Sequence, residues 1–185
     1  RAGGWCIQPF EHVSGAFKNL GIKYDSSVFP GGKFSSKHYA FDFTNAPNTS
    51  IYNFESDVTV AEADGYFTEL PISSAHYGPL FYWRLYILGR LFPKRHKMLG
   101  DGNFVPQPGR KWLNLKRGSW NHVSCDGYFA SELNWVAKQK LKRGDENMVV
   151  IGHPKSMTLY SFEQLEKFLK RWQHKANFQT FNDLP

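Results

Sequence analysis

The stretch Met148-Val149-Val150-Ile151-Gly152-His153-Pro154-Lys155 sets an imidazole directly after an apolar run. The run reads as a buried strand, so His153 should emerge at its carboxyl end. Gly152 gives the backbone room. Pro154 disfavours the α region for His153 and holds it extended, which aims the ring. A histidine so placed can give a proton to a leaving group. A histidine that only bonds to a loop carbonyl fits the same pattern equally well.

Two other stretches carry chemistry. In Arg1-Ala2-Gly3-Gly4-Trp5 the guanidinium can hold a carboxylate through two hydrogen bonds. Trp5 could wall a groove against a sugar face or against the histidine. On the pattern alone, a terminal arginine left by chain cutting is the favoured reading. Tyr24-Asp25-Ser26-Ser27 puts a carboxylate and two hydroxyls at a second strand end. Asp25 could orient a His or an Arg, and Ser26 and Ser27 could bind a hydroxylated ligand. Asp and Ser also favour plain turns. A metal centre within the chain finds no support. None of the seven histidines pairs as HxxxH, HExxH or HxH, and no nucleophile elbow or phosphate loop occurs.

The bulk numbers bound the class. The 185 residues suffice for one domain, with 41% apolar and 21% charged residues. The aromatic share, 17%, points to a generous core or a groove lined with rings. A net charge of +7 favours acidic partners. The cations are dispersed, with short dense runs at 92–97 and 138–144, so they read as solvated faces and nucleic acid is not an expected partner. Cys6 and Cys125 show no zinc spacing and are expected to be reduced. No apolar run spans a bilayer; residues 78–92 come closest but hold Arg84 and Arg90, so no stable membrane insertion is expected. The chain opens without Met, and its natural N-terminus is expected upstream.

The elements that must position these residues follow from periodicity. Phe10, Val13, Phe17 and Leu20 fall on one helical face, ended by Gly21. Residues 22–29 read as a strand and turn, and 30–54 as a long surface loop that could set specificity. Residues 57–72 predict a hairpin around Ala63-Asp64-Gly65. Residues 78–92 predict a helix buried nearly all round. Residues 100–112 predict a loop, and 131–142 a helix with Leu133, Val136, Ala137 and Leu141 inward. The last helix should be capped by Ser161 with Gln164 and carry Phe162, Leu165, Phe168, Leu169 and Trp172 as one stripe. Strand and helix alternate, which favours an α/β architecture with a parallel sheet and chemistry at strand ends.

Taken in order, these stretches resemble the polysaccharide deacetylases of the NodB-homology type. Arg1-Ala2-Gly3-Gly4-Trp5 looks like the family's third motif. Residues 19–32, ending in Asp25-Ser26-Ser27-Val28-Phe29-Pro30-Gly31-Gly32, look like the segment after the next helix in the branch that acts in polysaccharide biosynthesis. Residues 67–72 resemble a later strand of that branch. Residues 149–169, opening on the Gly152-His153-Pro154 run, resemble the last motif and its closing helix. The resemblance covers essentially the whole chain.

It implies a distorted (β/α)7-type barrel, of which residues 1–185 would be the C-terminal part as a single domain. It implies metal-dependent hydrolysis of the acetyl group of an N-acetylated, less often O-acetylated, sugar in polysaccharide biosynthesis or modification. The cofactor would be a divalent metal, zinc by preference, and the partner an acetylated glycan. By position His153 would be the catalytic acid. Arg1 would tether the catalytic Asp. Trp5 would line the groove, with Asp25 and Ser26 on the substrate side. The motifs that hold the catalytic Asp and the metal ligands normally precede the Arg motif, so those ligands are expected upstream of this chain. Without them, a glycan-binding domain that no longer hydrolyses is the alternative. A cytoplasmic place in surface-glycan assembly follows from the branch resembled.

Overall fold

The protein is described by a computed structural model that covers residues 1–100 and 109–183. Helix α1 spans Glu11–Asn19 and closes on Gly21, whose φ of 68° is the left-handed turn that stops a helix. Strands β1 (Tyr24–Asp25), β2 (Lys33–Ser35), β3 (Ala40–Asp42), β4 (Tyr52–Phe54), β5 (Phe67–Glu69) and β6 (Ser74–Tyr77) follow. Helices α2 (Pro79–Leu91), α3 (Pro93–His96) and α4 (Arg110–Arg117) lead to strand β7 (Ser119–His122), and the chain ends on α5 (Leu133–Lys142) and α6 (Leu159–Trp172).

Among the described residues the strands form three small sheets: β1-β5-β4, the β2-β3 hairpin and the β6-β7 pair. β1 and β5 run parallel, while β4 runs antiparallel to β5. Single hydrogen bonds carry the pairing onward. Ile72 N–H donates to Val28 O, Ser73 N–H to Val149 O, and Val123 N–H to Ser73 O. Ser124 and Ile151 then form a parallel bridge. Residues 24–28, 67–73, 123–125 and 149–151 are thus neighbours in one irregular succession.

Two apolar clusters fill the interior. Ile7, Phe10, Phe43, Phe54, Phe67 and Ile72 make the first, and Tyr77, Phe81, Leu115, Val123, Leu133 and Phe168 the second. Each fully buried Phe or Leu stabilises the fold by about 1.5–3 kcal/mol.

Several local expectations change. The stretch 30–54 is no open loop: it holds β2, β3 and β4 and buries Phe41, Phe43 and Phe54, because its aromatic residues outweigh its Gly and Ser punctuation. The antiparallel partner of β5 is β4, so the turn region 55–66 is longer than the hairpin expected around Asp64. Helix α2 buries only Phe81 and Tyr82; Leu80, Trp83, Ile87 and Leu91 face outward. Leu141 also faces outward, since the end of α5 outruns the core. Residues 148–150 form no regular strand, and Ile151 alone makes a bridge. The cap of α6 is Thr158, whose Oγ1 accepts from Ser161 N–H at 3.0 Å while Ser161 Oγ accepts from Thr158 N–H at 2.8 Å. The serine therefore closes the capping box from the third helical position, and Gln164 has no part in it. On α6, Phe162 and Leu169 are exposed, whereas Phe168 is buried and Leu165 and Trp172 pack beside it. Of the loop expected over 100–112, residues 101–108 lie outside the described residues, and Arg110 already begins α4.

Candidate functional site

Asp126 and His153 meet because two segments leave a parallel pair in the same direction. Ile151 N–H donates to Val123 O at 3.1 Å and Cys125 N–H to Ile151 O at 3.0 Å. Both chains then reach a polar residue at the strand end. His153 is extended (φ −118°, ψ 112°), and Pro154 begins a short 3₁₀ turn after it. Gly152 is needed for the close approach: a Cβ there would sit 2.6 Å from Cys125 Sγ. Asp126 Oδ1 accepts from His153 N–H at 2.7 Å, and Asp126 Oδ2 lies 2.6 Å from His153 Nδ1. A carboxylate on Nδ1 fixes the ring's orientation and tautomer and leaves Nε2 for a ligand.

His122, at the end of β7, stands beside this pair, its ring centroid 6.3 Å from that of His153. Trp5 packs 5.1 Å and Phe29 5.5 Å from the His122 ring. Burial pushes the His122 pKa down to about 4, against the pull of Asp126 and helped by the His153 charge. Its Nδ1 is buried without a hydrogen-bond partner. Gly4 and Trp5 both take left-handed backbone, at φ 62° and 60°. That is unusual for a bulky residue and costs of order 1–3 kcal/mol. It turns the indole inward, against Phe29, Phe41 and His122.

These side chains border a cavity of about 910 Å³ between the two apolar clusters. The volume is in the range that accepts a small organic ligand or a few sugar units. Trp5, Phe34, Tyr39 and Trp120 supply flat walls, and Arg1, Asp126 and His153 supply polar groups.

Of the residues singled out from sequence, Arg1, Trp5 and His153 line this cavity, whereas Asp25 and Ser26 do not. Both are buried beneath it. Asp25 accepts from Ser27 N–H at 3.0 Å and from Ser27 Oγ at 2.8 Å. Arg1 Nε donates to Ser26 O at 3.0 Å. Asp25 lies across the parallel ladder from Glu69, which is wholly buried. Burial, then the neighbouring Asp25 carboxylate, pushes the Glu69 pKa up to about 9, so Glu69 holds its proton at neutral pH. Glu69 Oε1 accepts from Val28 N–H at 3.0 Å. These groups brace the floor on which Arg1 rests.

Sequence reasoning missed Asp126, His122 and Glu69. Asp126 had a usable signal: Val123-Ser124-Cys125-Asp126-Gly127 is a third polar cluster at a strand end, like the ones at Asp25 and His153. Cys6 and Cys125 are free thiols. Among the described residues no cluster of three or more His, Cys, Asp or Glu has the geometry to hold a metal ion. No donor set among the described residues thus fits the metal centre that the resemblance implies, whose ligands the resemblance places upstream of Arg1.

Comparison with known proteins gave no match: no family model, no curated protein and no solved structure is significantly similar to the chain.

Proposed function

We propose that this chain carries the proton-donating half of a site that hydrolyses the acetyl group of an acetylated glycan. The observation that carries this reading is the Asp126–His153 pair at the wall of an aromatic cavity. In the proposed reaction water adds to the acetyl carbonyl and the C–N bond breaks. The leaving nitrogen takes the proton from Nε2 of a His153 imidazolium whose Nδ1–H Asp126 accepts, and acetate, the free amine and a neutral His153 result. The group that removes the proton from water has no assigned counterpart among the described residues. A divalent metal, preferably zinc, belongs to this reading only with ligands from outside them, and no step here runs through it. The succession of segments at 24–28, 67–73, 123–125 and 149–151 supports a place in a distorted α/β barrel. A cytoplasmic location is part of the same proposal.

The aromatic walls favour a second reading, a glycan-binding domain without hydrolysis. Trp5 and Trp120 could stack sugar rings with no catalytic partner present. One experiment separates the two. Acetate release from N-acetylated oligosaccharides is measured for the full-length gene product with zinc added, alongside calorimetric binding. Release that drops 10²–10⁴-fold in His153→Gln with affinity kept supports the hydrolase. Binding with no release at any metal concentration leaves the binding domain. Neither binding nor release removes both.

A further inference from the structure

On their outer side, α2 and its neighbours carry an exposed face. Helix α2 turns Leu80, Trp83, Ile87 and Leu91 to solvent, and these recur at steps of three and four along one face. Arg84 and Arg90 flank that stripe, both exposed. Phe92 continues it, at 53% exposure, into the Lys94, Arg95 and Lys97 turn. Helix α4 packs alongside, with Lys111 Nζ 4.7 Å from the centre of the Tyr86 ring of α2. It too turns apolar residues outward, Trp112 at 65% and Leu113 at 51% exposure, between exposed Lys111, Lys116 and Arg117.

The charge is one-sided. Residues 79–100 and 109–117 together hold nine Lys or Arg and no Asp or Glu. Arg95 pairs with Glu163 on α6, and the Arg84 charge acts on Glu132. An apolar stripe with indoles, on segments whose own charges are all cationic, is the composition of a helix that lies in a membrane interface. A protein partner of the same area would need a matching acidic and apolar face; an anionic bilayer offers both properties everywhere. No described helix is long and apolar enough to cross a membrane, so the helices would lie flat on it.

We propose that the outward face of α2–α4 docks on an anionic lipid surface. Leu85 and Gly89 of α2, His96 of α3, Met98 and Arg110 all border the cavity. Docking therefore sets the cavity beside the lipid headgroups, where a membrane-held substrate would be within reach. The docking itself is independent of what the cavity takes.

The test is co-sedimentation of the 185-residue chain with vesicles of phosphatidylcholine alone and of phosphatidylcholine with 30–40% phosphatidylglycerol. Each cation near such a surface is worth about a fivefold gain in binding, and salt screens it. Binding to the anionic vesicles should exceed that to neutral ones by at least about tenfold and fall as salt rises. Trp83→Ser with Trp112→Ser, and separately Lys94→Glu with Lys116→Glu, should each cut it about tenfold or more, with circular dichroism unchanged. In the unaltered chain, brominated lipid should quench tryptophan emission. Equal binding to both vesicle types, no binding, or variants that bind like the parent would overturn the proposal. So would a dimer that Trp83→Ser with Trp112→Ser dissociates, because the face would then belong to a second copy.

Discussion

Asp126 grips His153 twice, through the backbone N–H at 2.7 Å and through ring Nδ1 at 2.6 Å. One side chain thus sets both where the histidine backbone lies and which ring nitrogen is left for a ligand. Asp126→Asn keeps the shape but replaces an acceptor at Nδ1 with an amide donor. The ring should switch to the tautomer with the proton on Nε2. Nitrogen chemical shifts of His153 read that switch directly. If the proposed hydrolysis is present, acetate release should fall by about 10²–10⁴-fold. An unchanged tautomer would show that Asp126 does not hold the ring in solution.

Gly152 is where the strand end must pass the Cys125 sulfur. Gly152→Ala would place its Cβ 2.6 Å from Sγ and should cost about 1–3 kcal/mol in urea unfolding. Cys125→Ala removes the obstacle, so the double variant should recover most of that loss. Additive losses in the cycle would mean that the sulfur is not the obstacle.

Glu69 makes stability depend on pH in an unusual direction. Its pKa, about 9, lies above the value near 4.5 of an exposed Glu, so the folded state holds a proton that the unfolded state releases. Its contribution is therefore full below pH 4.5 and declines as pH rises toward 9. Glu69→Gln keeps a neutral group facing Asp25 and should flatten the decline. At pH 8 the variant should be more stable than the parent by about 2–4 kcal/mol, while at pH 4 the two should match closely. A constant difference across that range would refute the buried proton.

His122 should stay neutral well below the usual histidine range. With its pKa pushed down to about 4, the stability it contributes is present above pH 6.5 and is lost as pH falls toward 4. Proton NMR should show the His122 ring titrating near 4 in the folded protein. A midpoint near 6.5 would mean that water reaches the ring beside Trp5 and Phe29.

Trp120 offers the cleanest test of the cavity wall. It is 47% exposed and lines the cavity, whereas Trp5 is packed among Phe29, Phe41 and His122. Trp120→Ala should weaken oligosaccharide binding by about 1 kcal/mol or more with little effect on unfolding. Trp5→Ala should cost about 3–5 kcal/mol of stability as well. Calorimetry and urea unfolding on both variants separate the two roles.

What the sequence alone determined is what short-range physics sets. Apolar residues at steps of three and four placed α1, α5 and α6, and the apolar run 78–92 placed α2, within one to three residues of their observed ends, because a helix satisfies its hydrogen bonds locally. Pro154 made His153 extended through a clash between adjacent residues. The tertiary structure decided what depends on partners far along the chain. It paired β5 with β4 as well as with β1 and drew the aromatic stretch 30–54 into the core. It left one face of α2 in solvent, since hydropathy records the residue and not its neighbours. Asp126 and His153 stand 27 positions apart and meet only because a parallel bridge aligns their strand ends. The proton on Glu69 needs both its burial and the Asp25 carboxylate on the adjacent strand, neither of which a linear chain displays.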